Sequence, residues 1–318
     1  MDDWRIEVVS GRDQLAQLAA LATEIAPERP STAAELEHGE QTFPGGLRLL
    51  AWAGTTPVGY GTAGRIHVYA SDFDGAWAEL GVADDYRRRG MAGELYRRLS
   101  AHAAAIGKTA LHVPACDARP EAIGWLERRG YVEYERSRAV ALDIATAQVR
   151  PVDAPAGVEI TTLAQRPDLL EALHVVADAT LHDIPGSDEP HTAGTLEEFV
   201  AYDIEGPMAR REAIFLALVD GELAGYASLC FPGAQPTSAW HDMTGVLRAV
   251  RGRGIAGALK RAQIAWAAGN GILRLETENN VENAPMRAIN AALGYQPQPD
   301  QIVMRGPLDG GRVGHALG

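Results

Sequence analysis

The sequence predicts two consecutive units of mixed α/β structure, and three observations support this. The chain has 318 residues, enough for two domains of common size. Apolar residues make up 46% of it, so each half can bury a core. A set of residues recurs at a constant spacing of 164: Val82 and Val246, Arg87 and Arg251, Gly90 and Gly254, Tyr131 and Tyr295. Constant spacing over so long a stretch indicates a duplicated domain.

The two halves predict the same order of elements. In the second half, an Asp-Gly pair at 220–221 lies between two apolar runs, which is a strong hairpin signal. The helix after each glycine motif has apolar residues along one face, and the closing helices end at Gly130 and Gly294, where glycine suits a left-handed C-cap. The other predicted elements cover residues 5–9, 13–25, 47–53, 57–63 and 109–113 in the first half, and 158–161, 167–180, 213–219, 223–230 and 272–277 in the second.

The boundary between the halves is predicted at residues 145–157. This stretch contains Pro151 and Pro155 among mostly small residues. Proline removes a backbone donor and restricts its neighbours, so the stretch is typical of a linker. The predicted domains are therefore residues 1–144 and 158–318.

Composition excludes several classes of protein. The net charge of −13 argues against a nucleic-acid partner, because phosphates require a basic face. No apolar run approaches the ~20 residues that span a bilayer, and residues 1–4 lack the features of a signal peptide. We therefore expect a cytoplasmic protein with no membrane partner. Cys116 and Cys230 show no metal-site or disulfide spacing, so we expect two buried thiols and no metal.

Each half contains a strand, then Arg-x-x-Gly-x-Ala, then a helix. Small residues let the backbone turn tightly and approach a ligand. The N-terminal end of a helix presents unpaired N–H groups and a positive dipole end, which favour an anion such as a pyrophosphate. A plain turn is the competing interpretation of one copy, and the second copy favours the anion site. The candidate residues are Arg87, Arg88, Arg89, Gly90 and Ala92 in the first half and Arg251, Gly252, Arg253, Gly254, Ile255 and Ala256 in the second.

These motifs resemble the GNAT superfamily of acyl-CoA-dependent N-acyltransferases, in particular its tandem-domain members. The resemblance rests on the two loops, on Val82 and Val246 before them, and on the Leu-Gly-Tyr sequence at 293–295. It implies two GNAT-like domains, each with a central mixed sheet that is splayed after its fourth strand and flanked by helices. It also implies that the loop amides bind the CoA pyrophosphate and that the strands ending at Val82 and Val246 pair with the pantetheine arm.

The second half is closer to the resembled family than the first. It keeps, as Asn283, the asparagine that the family often has at the start of the closing helix, where the first half has Arg119. The tyrosine that the family often uses as general acid is replaced in both halves, by Leu126 and by Asn290. We therefore expect the second half to be catalytic and the first half to bind CoA without turnover or to serve as a scaffold.

Acyl transfer to an amine needs a base that accepts the amine proton. His241 and Asp242 lie just upstream of Val246, and alternation along a strand sends them to opposite faces, so only one can face the cleft. The alternatives are a structural histidine and an aspartate bonded to backbone. In the first half, Glu79 is typical of a solvated strand carboxylate. The segment His-Asp-Ile-Pro at 182–185 falls where the resembled family has its acceptor loop; a loop with capping polar groups is the alternative.

The expected function is transfer of an acyl group, in the first place acetyl, from acetyl-CoA or another short acyl-CoA to a primary amine of a small molecule. Direct attack is expected because neither half shows a nucleophile beside a base. The alternative is a catalytically inactive acyl-CoA-binding sensor or interaction module, which the missing tyrosines favour. A dinucleotide enzyme is disfavoured, since Gly-x-Gly-x-x-Gly does not occur in its strand context. The sequence does not determine which amine is the acceptor, whether the protein is a monomer or a homodimer, or whether one or both halves bind CoA.

Overall fold

The computed structural model describes residues 4–147, 153–186 and 189–309. Of the predicted linker at 145–157, residues 148–152 lie outside the described residues. Within the described ranges, no helix is both long enough and apolar enough to cross a bilayer.

The first repeat alternates strands and helices as its sequence pattern predicts. A capping box fixes the N-terminal end of the second helix, which begins at Ala33. The Thr32 side chain accepts a hydrogen bond from the Glu35 N–H, and the Glu35 carboxylate accepts one from the Thr32 N–H. The elements are β1 (Trp4–Val8), α1 (Gly11–Ile25), α2 (Ala33–Thr42), β2 (Leu47–Ala53), β3 (Thr56–Arg65), β4 (Gly75–Val82), α3 (Met91–Ala105), β5 (Ala110–Cys116), α4 (Pro120–Glu127) and β6 (Val132–Asp143).

The second repeat follows the same order, with two differences: its closing strand is divided into two, and the region after its first helix contains a π-helix. There a short α-helix continues into a π-helix over Val200–Ile204. The elements are β7 (Val158–Thr162), α5 (Leu170–Leu181), α6 (Leu196–Phe199), β8 (Ile214–Val219), β9 (Glu222–Cys230), β10 (Ser238–Val246), α7 (Ile255–Gly269), β11 (Arg274–Asn280), α8 (Ala284–Ala292), β12 (Gln296–Pro297) and β13 (Gln301–Pro307).

The first compact unit comprises the described parts of residues 1–67, 71–135 and 301–318. Its sheet has the strand order β1-β2-β3-β4-β5-β13. Only β4 and β5 are parallel, and they pair only over Gly75–Trp77 and Ala110–His112 before they diverge. Helix α3 packs its apolar face, including the fully buried Leu95 and Leu99, against this sheet.

The second compact unit comprises the described parts of residues 68–70 and 136–300. Its sheet has the order β6-β11-β10-β9-β8-β7, and β12 also pairs with β6. The parallel strands β10 and β11 pair only over Ser238–Trp240 and Arg274–Glu276. The predicted mixed sheet that splays after the fourth strand is thus confirmed in both units. The splay leaves a backbone edge of β10 facing an open slot, which we call the cleft.

The last strand of each repeat completes the sheet of the other unit. Strand β6 pairs with β11 in the second unit, and β13 pairs with β5 in the first unit. The two strands are counterparts in the repeat, because Ser137 and Gln301 are separated by the same 164 residues. The division into 1–144 and 158–318 describes the repeats in the sequence, and as a domain boundary it stays a prediction.

Candidate functional site

Strand β10 of the second unit contains a bulge that β4 of the first unit lacks. The pairing of β10 with β9 shifts register between His241 and Met243, so that Asp242 is the extra residue. The pairing of β4 with β3 runs without a shift. The spacing of the repeats shows the same insertion, because Trp77 and Trp240 are separated by 163 residues rather than 164. Bulges re-aim side chains and occur often beside active sites.

The bulge separates the two residues that the sequence offers as a base. His241 is buried, with the Nδ1–H donating to Gln263 Oε1 at 2.8 Å and Nε2 accepting from the hydroxyl of Tyr295. Asp242 is exposed to solvent, and its carboxylate accepts a hydrogen bond of 3.0 Å from Ser228 Oγ. His241 therefore lies in the core of the unit, and Asp242 is the one of the two that solvent can reach.

A second carboxyl group, that of Asp203 on the π-helix, lies within reach of the negative charge of Asp242. Burial, and then the negative charge of Asp242, raise the pKa of Asp203 to about 8. Burial also raises the pKa of Asp242, against the lowering effect of the Ser228 hydrogen bond. Asp242 is thus reached by water while protein surrounds it on most sides, as expected for a group in a cleft. Below about pH 8, Asp203 keeps its proton, and the pair carries at most one negative charge.

Tyr226 of β9 belongs to the same cluster. Its ring is buried, and burial followed by the charges of Asp242 and Asp203 raises the pKa of its hydroxyl well above the ordinary range. Within the described ranges, no arginine, lysine or histidine forms an ion pair with either aspartate. Strongly perturbed, uncompensated acids in a cleft are typical of a functional site.

The corresponding place in the first unit is different, because its acidic side chains are paired with arginines. Glu79 on β4 accepts a hydrogen bond of 3.0 Å from Trp77 Nε1 and lies 3.9 Å from Arg29. Glu28 forms an ion pair of 3.1 Å with Arg119, whose guanidinium also donates to a backbone carbonyl at the end of α1. The first unit thus has no free acid–acid pair at this position among its described residues.

The loop before α7 has the backbone that an anion site requires. Gly252 and Gly254 adopt left-handed conformations, with φ of 78° and 80°. A Cβ on Gly252 would meet no atom within 4 Å, so the loop borders open space. The Ala258 N–H bonds to Gly254 O, and the helix begins at Ile255 and Ala256, whose N–H groups have no acceptor within the helix. These amides fit a pyrophosphate.

The arginines of this loop are held by the rest of the second unit. Arg251 Nε donates to the carbonyl of Val246 at 2.8 Å, and its Nη2 pairs with Asp183. Arg248 Nε donates to the same carboxylate at 2.7 Å, and Arg253 donates to the backbone near the start of β7. The two arginine partners hold the pKa of Asp183 below its usual range.

The loop before α3 in the first unit has a similar shape. Gly90 is left-handed with φ of 85°, and Met91 and Ala92 begin the helix. Arg87 Nε donates to Val82 O at 3.1 Å. Arg88, with φ of 62°, stands where the second loop has Gly252, a conformation that costs about 1 kcal/mol for a residue with a Cβ. The exposed Arg89 completes this loop.

The closing helices differ in their first residue. Asn283 caps α8 by accepting a hydrogen bond from the Met286 N–H at 3.3 Å. At the positions where the resembled family often has a tyrosine acid, Leu126 is buried, and Asn290 is buried and donates to Asn279 at 2.6 Å. Neither can serve as an acid.

Comparison with known proteins agrees with this geometry. The family model described as the acetyltransferase (GNAT) family matches residues 14–131 and 179–295, which together exceed half of the chain. No curated protein sequence matches the chain.

Several solved structures share the fold over nearly the whole chain. A GCN5-related N-acetyltransferase from Sphaerobacter thermophilus is 14% identical with a TM-score of 0.74, and covers 97% of this chain and 96% of its own. A tandem GNAT protein from the clavulanic acid biosynthesis pathway is 18% identical with a TM-score of 0.71, and covers 96% and 99%. Saccharomyces cerevisiae N-myristoyltransferase with bound myristoyl-CoA is 11% identical with a TM-score of 0.66, and covers 96% and 78%. At these identities the likeness shows the fold alone.

Proposed function

The chain belongs to the acetyltransferase (GNAT) family, and on that premise we propose that its second repeat transfers an acyl group, in the first place acetyl, from a short acyl-CoA to a primary amine of a small molecule. The family moves acyl groups from acyl-CoA, which makes catalysis a better supported interpretation than an inactive sensor. The observation that carries the proposal is the bulge of β10, which exposes the carboxylate of Asp242 to solvent, whereas Glu79 on the unbulged β4 is held by Trp77 and Arg29.

The proposed reaction is a direct transfer in which both carboxyl groups take part. The acceptor nitrogen forms a bond to the thioester carbon, the carbon–sulfur bond breaks, and the amine loses a proton. Asp242, the more accessible group, accepts that proton. Asp203, which keeps its own proton to about pH 8, returns one to the leaving thiolate. Two carboxyl groups whose pKa values are driven apart are a common acid–base pair in enzymes.

The backbone of β10 supplies the other requirements. Among the described residues, β10 forms no ladder with β11 beyond Trp240, so backbone groups of residues 241–245 on that side face the cleft without a strand partner. We propose that these groups pair with the pantetheine arm and that an N–H beside Val246 meets the carbonyl oxygen as negative charge develops on it. The amides of residues 251–256 would hold the pyrophosphate, and Asn283 would order the start of the closing helix.

We propose that the first unit is a scaffold with respect to the chemistry. Its β4 lacks the bulge, and Glu79 is paired with Trp77 and Arg29. The loop of Arg87 to Ala92 keeps the shape of an anion site, so CoA binding there is compatible with the geometry.

The decisive test compares two substitutions, Asp242→Asn and His241→Ala. In Asp242→Asn we expect kcat to fall by about 10²- to 10⁴-fold with little change in the Kd for CoA, because the carboxylate acts in the chemical step. His241→Ala removes a buried hydrogen-bonded group and should lower stability more than kcat. Thiol release from acetyl-CoA with an amine panel measures turnover, and calorimetry measures CoA binding.

The pH dependence of kcat gives a second readout. It should be bell-shaped, rising as Asp242 loses its proton and falling near pH 8 as Asp203 loses its own. Asp203→Asn should remove the alkaline limb. Glu79→Gln in the first unit is the matched control and should leave the profile unchanged. Wild-type rates in Asp242→Asn, or an acyl-enzyme detected by mass spectrometry, would contradict the proposed mechanism.

A further inference from the structure

The segment of residues 182–186, which we call the strap, follows α5 in the second unit. Its Asp183 carboxylate is 11% exposed and binds two arginines of the loop before α7. One oxygen accepts from Arg248 and the other from Arg251. The strap is thereby fixed by its own charge to the loop that follows β10.

The other end of the strap lies against β11. Gly186 has φ of 96°, and a Cβ built on it would overlap the side-chain amide of Asn280, the last residue of that strand. Strands β10 and β11 separate beyond Trp240, so Arg248, just after β10, and Asn280, the last residue of β11, lie at the two open strand ends. Asp183 and Gly186 are three residues apart, a reach of at most about 10 Å. The strap therefore runs across the open end of the cleft.

The first repeat neutralises its loop in a different way. There Arg87 pairs at 2.7 Å with Asp84, three residues earlier in the same loop, and more loosely, at 3.8 Å, with Glu121 of α4. The residue 164 positions after Asp84 is Arg248, so the second loop has a positive charge where the first has a negative one. Its compensating carboxylate, Asp183, comes from 65 residues away in sequence. The close ion pair of the first loop, Arg87 with Asp84, thus lies within the loop, whereas the close ion pairs of the second loop link it to the strap.

We propose that Asp183 is a positioning residue that holds the strap over the cleft and competes with the CoA phosphates for the positive charge of the loop; this inference rests on the proposed function. A carboxylate bound to Arg248 and Arg251 lowers the positive potential beside the amides that would bind the pyrophosphate. The same contact reduces the conformational freedom of the strap, so that the amine acceptor binds next to a segment that is already ordered. The two effects have opposite consequences when the charge of Asp183 is removed: CoA should bind more tightly, and the strap should become less ordered.

The test uses Asp183→Asn in the full chain, with CoA as the probe. Calorimetry at low salt should give a Kd for CoA about two- to fivefold lower than in the wild type, and the difference should shrink as salt is raised. Hydrogen–deuterium exchange of the strap amides, measured without CoA, should become faster. The matched control is Asp84→Asn, which breaks the counterpart ion pair in the first repeat and should leave strap exchange unchanged.

A second variant separates the charge effect from simple loss of structure. Arg248→Gln alters a side chain that is 78% exposed, so folding is little affected. It should also speed strap exchange, but CoA should bind more weakly, because a positive charge is lost. Unchanged or weaker CoA binding in Asp183→Asn, or unchanged strap exchange, would overturn the inference. A wild type that binds no CoA would overturn the proposed function instead, while the exchange measurement still tests whether Asp183 orders the strap.

Discussion

Replacing Asp203 by asparagine should stabilise the protein at alkaline pH and leave it unchanged near pH 4. The carboxyl group has an ordinary pKa of 3.8 in the unfolded chain and about 8 in the folded one. Between those values the folded state keeps a proton that the unfolded state has lost. The free energy of unfolding contributed by this group therefore falls as pH rises through the window, and the cost is complete above about pH 8.

The size of the effect follows from the shift. One pKa unit corresponds to about 1.4 kcal/mol, so a shift of about four units sets a ceiling of about 6 kcal/mol. Asp203 is half-buried and water screens part of its charge, so we expect the asparagine variant to gain about 2–3 kcal/mol at pH 8–9. Asparagine keeps the shape of the carboxyl group without its charge.

Urea unfolding at several pH values between 4 and 9 measures this directly. Part of the cost comes from the charge of Asp242, so the gain should be smaller when Asp203→Asn is introduced into an Asp242→Asn chain. Glu205→Gln, which alters an exposed acid next to the π-helix, is the control and should not change the pH dependence. If Asp203→Asn shows the same slope of stability against pH as the wild type, the assigned coupling is wrong.

Three further outcomes are expected. Burial lowers the pKa of Lys260 to about 7. The free-energy cost of burying its charge is therefore complete below pH 7 and disappears as pH rises toward 10.5, the pKa in the unfolded chain. Lys260→Met should raise the free energy of unfolding by about 3–5 kcal/mol at pH 6–7, measured by urea titration. Gly254→Asp should weaken CoA binding in calorimetry by about tenfold, and a loss seen only in Gly90→Asp would move the site to the first unit. Gly245→Ala should cost about 1–3 kcal/mol, because its Cβ overlaps the side chain of Thr180, and thermal melts should show partial recovery when Thr180→Ala is added.

Much of the fold could be predicted because its signals are local. The helix entries at Gly90 and Gly254 and the hairpin at Asp220 depend on residues next to one another in the chain, and all three have positive φ. The exchange of β6 and β13 could not be predicted. Strands β6 and β13 are counterparts in the repeat and have similar alternating patterns. Their local sequence therefore does not indicate which of the two sheets each strand joins.

The sequence contains a signal for only part of the candidate site, and the roles of its residues stay predictions. Asp242 is a candidate from sequence because it lies close to Val246. The sequence offers no signal for Asp203, because it is 39 residues from Asp242 and its position depends on a π-helix, which has no reliable sequence signal. A trace of the bulge was present in the spacing of Trp77 and Trp240, which is one residue shorter than the repeat. The spacing of 164 begins only at Val82, after the bulge, so the matching residues from Val82 onward do not reveal the insertion.

The pairing of β13 with β5 has a consequence for how the chain is made. The first unit receives its last strand only after residue 307 has been synthesised. About 165 residues, 136–300, belong to the second unit and are translated in between. At roughly 5–20 residues per second this takes about ten to thirty seconds. Throughout that interval β5 is a bare sheet edge on a nascent chain, and an unpaired edge is a template for association with other strands. We therefore expect newly made chains to bind chaperones through the first unit until translation reaches β13.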